Sequence, residues 1–192
     1  IPAALLGDSP SVIENVPDIN DVHIIIEMLR YLGAQVEFRD NVMTIDPRTA
    51  DRFDPPYELA SRMRASYYFA PVLLGVFRRC SVPLPGGCDI GPRPIDQTLK
   101  GMRTLGAQVD TPGGVIVASA DELVGGDIFL EMPSVGATVN CMLTAVSASG
   151  TTCIHNAAKE PHIVDLANFL SSMGAVVKGA GTDVIRIRGG RH

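Results

Sequence analysis

The residues best suited to chemistry lie on one stretch, PLPGGCDIGPRP, at residues 83–94. Cys88 stands there among glycines and prolines, with Asp89 beside it and Arg93 five residues further on. Glycine frees the backbone and proline restricts it, so the stretch favours neither a helix nor a regular strand. A nearby cation favours a thiolate, whereas burial and an adjacent carboxylate favour the thiol. This balance suits Cys88 to act as an acid, a base or a nucleophile.

Groups that suit an anion stand at three predicted helix starts. Arg93 and Pro94 precede one helix, where free amide groups and the helix dipole attract negative charge. Arg64 stands at the start of another predicted helix, the end at which the helix dipole disfavours a cation. An anion bound between Arg64 and Arg93 would explain an arginine at this position. SVG at 134–136 opens a third, for which capping by the serine is the simpler interpretation and binding of a phosphate or hydroxyl the alternative.

The elements that must position these residues recur along the chain. Three stretches read as a helix end closed by glycine and followed by a strand: MLRYLGAQV at 28–36, GMRTLGAQV at 101–109 and FLSSMGAVV at 169–177. Each then turns and returns on an alternating strand, VMTID at 42–46, VIVAS at 115–119 and VIRIR at 184–188. A small-residue helix and a strand lie upstream of each. We therefore predict a single domain of three repeats, approximately 1–46, 59–119 and 134–188.

The returning strand in each repeat predicts hairpins, and therefore mixed sheets rather than one parallel sheet. The apolar helices are rich in Ala, Ser and Gly, which lets helices pack closely, so we expect them to be buried with the sheets around them. The three strand-to-helix connections differ: only the second carries a cysteine and paired glycines. That difference is typical of a lid or an active-site loop, the alternative being a surface loop with an incidental cysteine.

Composition narrows the class of protein. Of 192 residues, 46% are hydrophobic and 19% charged, which indicates a globular fold. The net charge of -5 and the lack of a basic cluster argue against nucleic-acid binding. Cys80, Cys141 and Cys153 show no zinc spacing with the histidines, so we expect no metal and interpret all three as buried small residues. Without a signal peptide or an apolar run of membrane length, a cytoplasmic location is the default.

At this point a family resemblance is visible. LPGGCDIGPRPID, MRAS, SVGAT and SGTTCIHNAAKEPHIVDLANFL resemble the UDP-N-acetylglucosamine 1-carboxyvinyltransferases, and the resemblance extends over essentially the whole chain. It implies an α/β fold, the inside-out α/β barrel of the enolpyruvyl transferases, made of three βαβαββ pseudo-repeats with mixed sheets around buried helices. That family has two such domains. The sequence begins abruptly with no Met, so we expect a piece of a longer protein whose second domain is absent here.

The resemblance also implies the chemistry. Members move the enolpyruvyl group of phosphoenolpyruvate to the 3-hydroxyl of UDP-N-acetylglucosamine and release phosphate, the first committed step of peptidoglycan synthesis. Cys88 would be the proton donor and the target of the epoxide fosfomycin, with Arg64 and Arg93 as further catalytic residues. The implied substrate-binding residues are Arg64, Arg93, Pro94, Ile95, Asp96, Gln97, Ser134, Val135 and Gly136. The implied protein is a cytoplasmic monomer with no cofactor.

Two departures bear on these expectations. Met132 stands where some members have a lysine two residues before the serine of SVG, so one possible diphosphate contact is lost. The second-domain residues, a Lys-Asn pair and an aspartate base among them, are absent, so we expect the chain alone not to turn over. The alternatives are a non-catalytic nucleotide-sugar binding module of the same fold and, less favoured, a structural repeat protein.

Overall fold

The computed structural model describes residues 1–84 and 95–189. The chain falls into two compact units, the first formed by Ile1–Pro92 with Asp110–Val117 and the second by Arg93–Val109 with Ala118–His192. The single domain expected from the sequence stays a prediction. Within the described residues, no helix is long and apolar enough to span a bilayer.

The first unit is built around a buried helix. Its elements are a 3-10 helix (Pro2–Leu6), β1 (Ser11–Ile13), α1 (Asn20–Tyr31), β2 (Gln35–Arg39), β3 (Val42–Asp46), α2 (Tyr57–Ala60), a second 3-10 helix (Arg64–Tyr68), α3 (Phe69–Phe77) and β4 (Arg79–Pro83). The first seven residues of α3 are all buried. Because they carry no polar side chain, the helix has no face that favours water.

Three strands of this unit, β1, β2 and β3, form an antiparallel sheet. β3 lies in the middle, and both β1 and β2 run antiparallel to it, with Ile45 opposite Ser11 on one side and Val36 on the other. Val36, Met43 and Ile45 are buried, which follows from the alternation along β2 and β3. This sheet therefore contains the returning hairpin that the sequence predicts, without a parallel strand.

The second unit contains a mixed sheet and two long helices. The remaining elements of the chain, which include the stretch Asp110–Val117 of the first unit, are α4 (Asp96–Thr104), β5 (Gln108–Asp110), a 3-10 helix (Pro112–Gly114), β6 (Val115–Ser119), β7 (Asp127–Phe129), α5 (Val135–Ala145), β8 (Thr151–His155), α6 (Pro161–Ser172), β9 (Val176–Lys178) and β10 (Val184–Arg188). In the sheet of order β7-β8-β10-β9, β7 is parallel to β8 and the other pairs are antiparallel. A further sheet has the order β4-β6-β5, and the boundary of the two units falls within β5 and β6.

The three predicted helix ends share one backbone geometry. Gly33, Gly106 and Gly174 have φ of 96°, 101° and 99°. At each, the glycine amide bonds the carbonyl three residues back and the next amide bonds the carbonyl five residues back. These are the two hydrogen bonds of the Schellman motif, which satisfies carbonyls that the helix leaves without partners. The expected glycine closures are confirmed.

A side-chain hydrogen bond accompanies two of these closures. The guanidinium of Arg30 donates to the carbonyl of Val36 at 2.8 Å, and that of Arg103 donates to the carbonyl of Val109 at 2.7 Å. Each bond joins the last turn of a helix to the strand that follows it. Ser171 occupies the equivalent place in the third stretch.

We predict that Gly106→Ala lowers the free energy of unfolding by about 1–3 kcal/mol, because alanine is strained at this positive φ. Its Cβ would also lie 3.0 Å from the carbonyl oxygen of Glu122. Urea-induced unfolding followed by circular dichroism measures the change. Gly126→Ala is the control, since a Cβ there meets nothing closer than 3.8 Å. We expect the control to lie within about 0.5 kcal/mol of the parent, and equal losses in both variants would contradict the prediction.

Candidate functional site

Two of the predicted ligand-binding stretches lie at the starts of neighbouring helices in the second unit. Ile95 is the N-cap of α4, Asp96 and Gln97 begin that helix, and Ser134 is the N-cap of α5. Two contacts show that α4 and α5 run in the same direction. Gln97, near the start of α4, bonds the backbone just before α5, and Gly101, further along α4, meets Cys141 further along α5. The N-terminal ends of α4 and α5 therefore lie at the same end of the pair.

Ser134 caps α5. Its Oγ accepts a hydrogen bond from the amide of Ala137 at 3.3 Å, and its carbonyl accepts from the amide of Thr138 at 2.9 Å. The capping interpretation is confirmed. Within the part of the chain that the structure describes, the amides of Val135 and Gly136 have no acceptor. Two amides at the positive end of the helix dipole suit an anionic oxygen, so capping leaves room for the alternative interpretation.

The side chain of Gln97 is engaged with backbone. Its Oε1 accepts from the amide of Glu131 at 2.8 Å, and its Nε2 donates to the carbonyl of Met132 at 3.4 Å. Lys100, one turn further along α4, places its Nζ 3.3 Å from the carboxylate of Glu131. Both polar ends of the Gln97 amide are therefore already paired.

The interiors of α4 and α5 are in close contact. A Cβ at Gly101 would collide with the sulfur of Cys141, so only glycine permits this approach. Beside it, Asn140 donates to the hydroxyl of Thr98 at 3.3 Å, and both residues are buried. The hydroxyl of Thr138, also on α5, accepts from the amide of Ala158 at 3.0 Å. The Thr98–Asn140 and Gly101–Cys141 contacts therefore hold the interiors of α4 and α5 together.

Arg64 lies in the first unit. It is the first residue of the 3-10 helix Arg64–Tyr68 and is half-buried. Across residues 1–84 and 95–189, the side chain of Arg64 forms no ion pair and no hydrogen bond. A half-buried arginine of this kind suits an anion supplied by a ligand. Cys88, Arg93 and Pro94 lie outside the described residues, so an anion between Arg64 and Arg93 stays a prediction.

The remaining cysteines differ from one another. Cys80 and Cys141 are buried, as expected. Burial raises the pKa of the Cys141 thiol to about 12, which keeps it protonated and unreactive at neutral pH. Cys153 was also expected to be buried, but it is half-exposed because it lies on the outer face of β8. In the described ranges, no three His, Cys, Asp or Glu side chains are placed to hold a metal ion.

Sequence reasoning missed two polar pairs. One is the Thr98–Asn140 bond, which an asparagine within the apolar run of α5 signals, because buried polar groups need partners. The other is His155, whose Nε2 lies 2.8 Å from a carboxylate oxygen of Asp127 and whose ring stacks on Phe129 at 4.3 Å. No sequence pattern indicates the contact between His155 and Asp127, because the two residues come together only when β7 pairs with β8, and these strands are separated in sequence.

Comparison with known proteins places the chain in a family. The family described as EPSP synthase (3-phosphoshikimate 1-carboxyvinyltransferase) matches residues 1–192. The chain belongs to this family. The fold agrees: the enolpyruvyl transferase NikO from Streptomyces tendae is similar with a TM-score of 0.85 and 24% identity, over 98% of this chain and 45% of that one. An EPSP synthase from Acinetobacter baumannii gives 0.71 and 19%, over 99% and 44%. The predicted enolpyruvyl transferase fold is confirmed.

Curated relatives are closer in sequence. UDP-N-acetylglucosamine 1-carboxyvinyltransferase 3 of Caldanaerobacter subterraneus is 53% identical over 189 residues, which are 98% of this chain and 45% of the relative. UDP-N-acetylglucosamine 1-carboxyvinyltransferase 2 of Geobacillus kaustophilus is 52% identical, over 98% and 44%. The chain therefore spans less than half the length of the curated relatives it matches.

We predict that Ser134→Ala lowers the free energy of unfolding by about 1 kcal/mol, because the N-cap acceptor for the Ala137 amide is lost. Ser134→Asn, which keeps an acceptor at the cap, should remain close to the parent. Urea-induced unfolding of the three proteins compares them directly. An alanine variant as stable as the parent would mean that the cap bond contributes nothing.

We also predict that Cys141 resists iodoacetamide in the native protein at pH 8. A pKa of about 12 leaves roughly one thiol in ten thousand as the reactive thiolate. Because the folded-state pKa lies above the ordinary value of 9.0, the stability linked to this thiol is present below pH 9 and is lost as pH rises towards 12. Mass spectrometry of native and urea-unfolded samples measures the labelling, with half-exposed Cys153 as the control. Native labelling of Cys141 as fast as that of Cys153 would refute the prediction.

Proposed function

We propose that the chain is the cysteine-loop domain of a UDP-N-acetylglucosamine 1-carboxyvinyltransferase. The observation that carries the proposal is its 53% identity, over 98% of its length, to the Caldanaerobacter subterraneus protein of that name. The reaction is transfer of the enolpyruvyl group of phosphoenolpyruvate to the 3-hydroxyl of UDP-N-acetylglucosamine, with release of phosphate. Peptidoglycan synthesis, a cytoplasmic location, a monomeric state and fosfomycin as inhibitor belong to the same proposal.

The proposed chemistry is addition followed by elimination. Cys88 gives a proton to the methylene carbon of phosphoenolpyruvate, and the neighbouring carbon becomes electron-poor and takes the oxygen of the 3-hydroxyl, whose proton passes to the base of the proposed second domain. A proton of the new methyl group then returns to the Cys88 thiolate while phosphate departs with the proton held by the base, which restores the double bond. Arg64 and Arg93 hold the phosphate and carboxylate and stabilise the charge that develops. The half-buried position of Arg64, with no partner in the described ranges, supports this role.

The paired starts of α4 and α5 support the proposed sugar-nucleotide site. A diphosphate needs donors, and the amides of Val135 and Gly136 have no acceptor in the described part of the chain. The positive ends of two helix dipoles at the same end of the pair favour such an anion. Met132, which replaces a lysine of some members, is 61% exposed and offers no charge. Backbone amides would therefore carry more of the diphosphate binding here.

The proposal includes a second domain. The chain covers only 45% of its Caldanaerobacter relative, so we propose that the remaining half supplies the base and further arginines. We also propose the three-repeat organisation of one domain, which the three identical glycine closures support. On this basis the 192 residues alone bind the sugar nucleotide and release no phosphate.

A chimera tests the proposal. The 189-residue stretch of the Caldanaerobacter relative that matches this chain is replaced by the chain itself. We expect the purified chimera to release phosphate from phosphoenolpyruvate in the presence of UDP-N-acetylglucosamine. Cys88→Ala in the chimera should lower the rate by about 100-fold or more, because the proton donor is lost. Cys153→Ala, which removes a half-exposed thiol elsewhere, is the matched control and should leave the rate unchanged.

The outcomes separate the alternatives. A folded chimera that binds the sugar nucleotide and releases no phosphate would favour the non-catalytic binding module. An unchanged rate in Cys88→Ala would refute the proton-donor role. Phosphate release by the 192-residue chain alone would refute the need for a second domain.

A further inference from the structure

We propose that Gln97 is a positioning residue, whose side chain fastens the backbone before α5 to the start of α4 and does not itself contact the sugar nucleotide. The inference rests on the proposed function for the identity of the ligand. The hydrogen bonds that carry it involve only residues of the second unit.

The geometry is that of a two-point clamp. A single planar amide meets the N–H of Glu131 at 2.8 Å and the C=O of Met132 at 3.4 Å, across 34 and 35 residues of sequence. A primary amide has both a donor and an acceptor, which lets one side chain satisfy two backbone groups of consecutive residues. One N–H and one lone pair of the amide remain, but the two bonds fix the plane and the direction of the side chain.

The clamped segment has few other ties. Leu130 is buried, its amide bonds the carbonyl of His155 and its carbonyl accepts from Asn156, so the chain is anchored up to that point. Residues 131–133 are exposed. Among the described residues, their side-chain hydrogen bonds and ion pair all involve α4. An exposed segment with few contacts opens easily when one is removed.

The clamp affects the proposed ligand site because the segment that it holds directly precedes the start of α5. Met132 is two residues before Ser134, which caps α5 and is followed by the two amides proposed to meet the diphosphate. Movement of residues 131–132 would therefore displace the start of α5 relative to α4. Thr98–Asn140 and Gly101–Cys141 hold the helix interiors and do not restrain this segment.

The second contact to this segment does not replace the clamp. Lys100 and Glu131 form an ion pair at 3.3 Å with side chains 48% and 77% exposed. Exposed ion pairs contribute little, because water and salt screen them. Lys100→Ala is therefore a matched control: it removes the other tie between α4 and residue 131 and leaves the Gln97 amide in place.

Two variants test the clamp itself. Gln97→Leu keeps the size and removes both hydrogen bonds, whereas Gln97→Asn keeps the amide but is one methylene too short to reach both partners. We expect amide hydrogen exchange of Glu131, measured by NMR on the 192-residue chain, to become about tenfold faster in each. Lys100→Ala should leave this exchange unchanged. Unchanged exchange in both Gln97 variants would overturn the clamp.

Kinetics of the chimera test whether the clamp supports binding of UDP-N-acetylglucosamine. In Gln97→Asn we expect the KM for UDP-N-acetylglucosamine to rise about five- to tenfold while kcat changes less than twofold, because only the binding of the sugar nucleotide needs the segment in place. A raised KM with unchanged exchange of Glu131 would overturn the inference in favour of direct contact between Gln97 and ligand. An unchanged KM with faster exchange would overturn the link to binding. If the parent chimera releases no phosphate, the proposed function fails, whereas the exchange measurement still decides the clamp.

Discussion

The close approach of α4 and α5 is the constraint on which the rest of the site depends. It requires glycine at position 101, because any Cβ there would collide with the sulfur of Cys141. At this separation Asn140 reaches Thr98, and Gln97 reaches the backbone of residues 131–132. The contact also excludes water from Cys141, which raises its pKa to about 12. One missing side chain thus permits the hydrogen bonds that align the two helix starts and makes a nearby thiol inert.

The aligned helix starts offer backbone rather than side-chain charge. The net charge of -5 gives no general attraction for anions, so any anion must be held by local groups. Free amides at a helix start provide such groups without adding a side chain that must be desolvated. Their effect depends on orientation, which explains why buried contacts several residues along the helices matter as much as the residues at the starts.

Much of the fold could be read from the sequence, and the site only in part. The strands at 42–46, 115–119 and 184–188 and the three glycine closures are local patterns, which depend on alternation and on positive φ. β7 has only three residues, too few to show an alternating pattern, and it is a strand because it pairs with β8. The exposure of Cys153 and the partner of Gln97 also depend on residues far away in sequence. A resemblance could assign Gln97 to the ligand site, but only the structure shows its amide already paired.

The N-terminal and C-terminal ends of α1, α4 and α6 differ in structure. The C-terminal ends of α1, α4 and α6 share one glycine geometry and the same pair of backbone hydrogen bonds. Their N-terminal ends have no side-chain cap, and their N-cap residues are Ile19, Ile95 and Glu160. An uncapped start leaves amides that need an acceptor. Uniform C-terminal closures fix where each following strand begins, so the helix starts can change without disturbing the sheets. In the proposed three-repeat fold, one helix start can therefore acquire a binding site while the other two keep a purely structural connection.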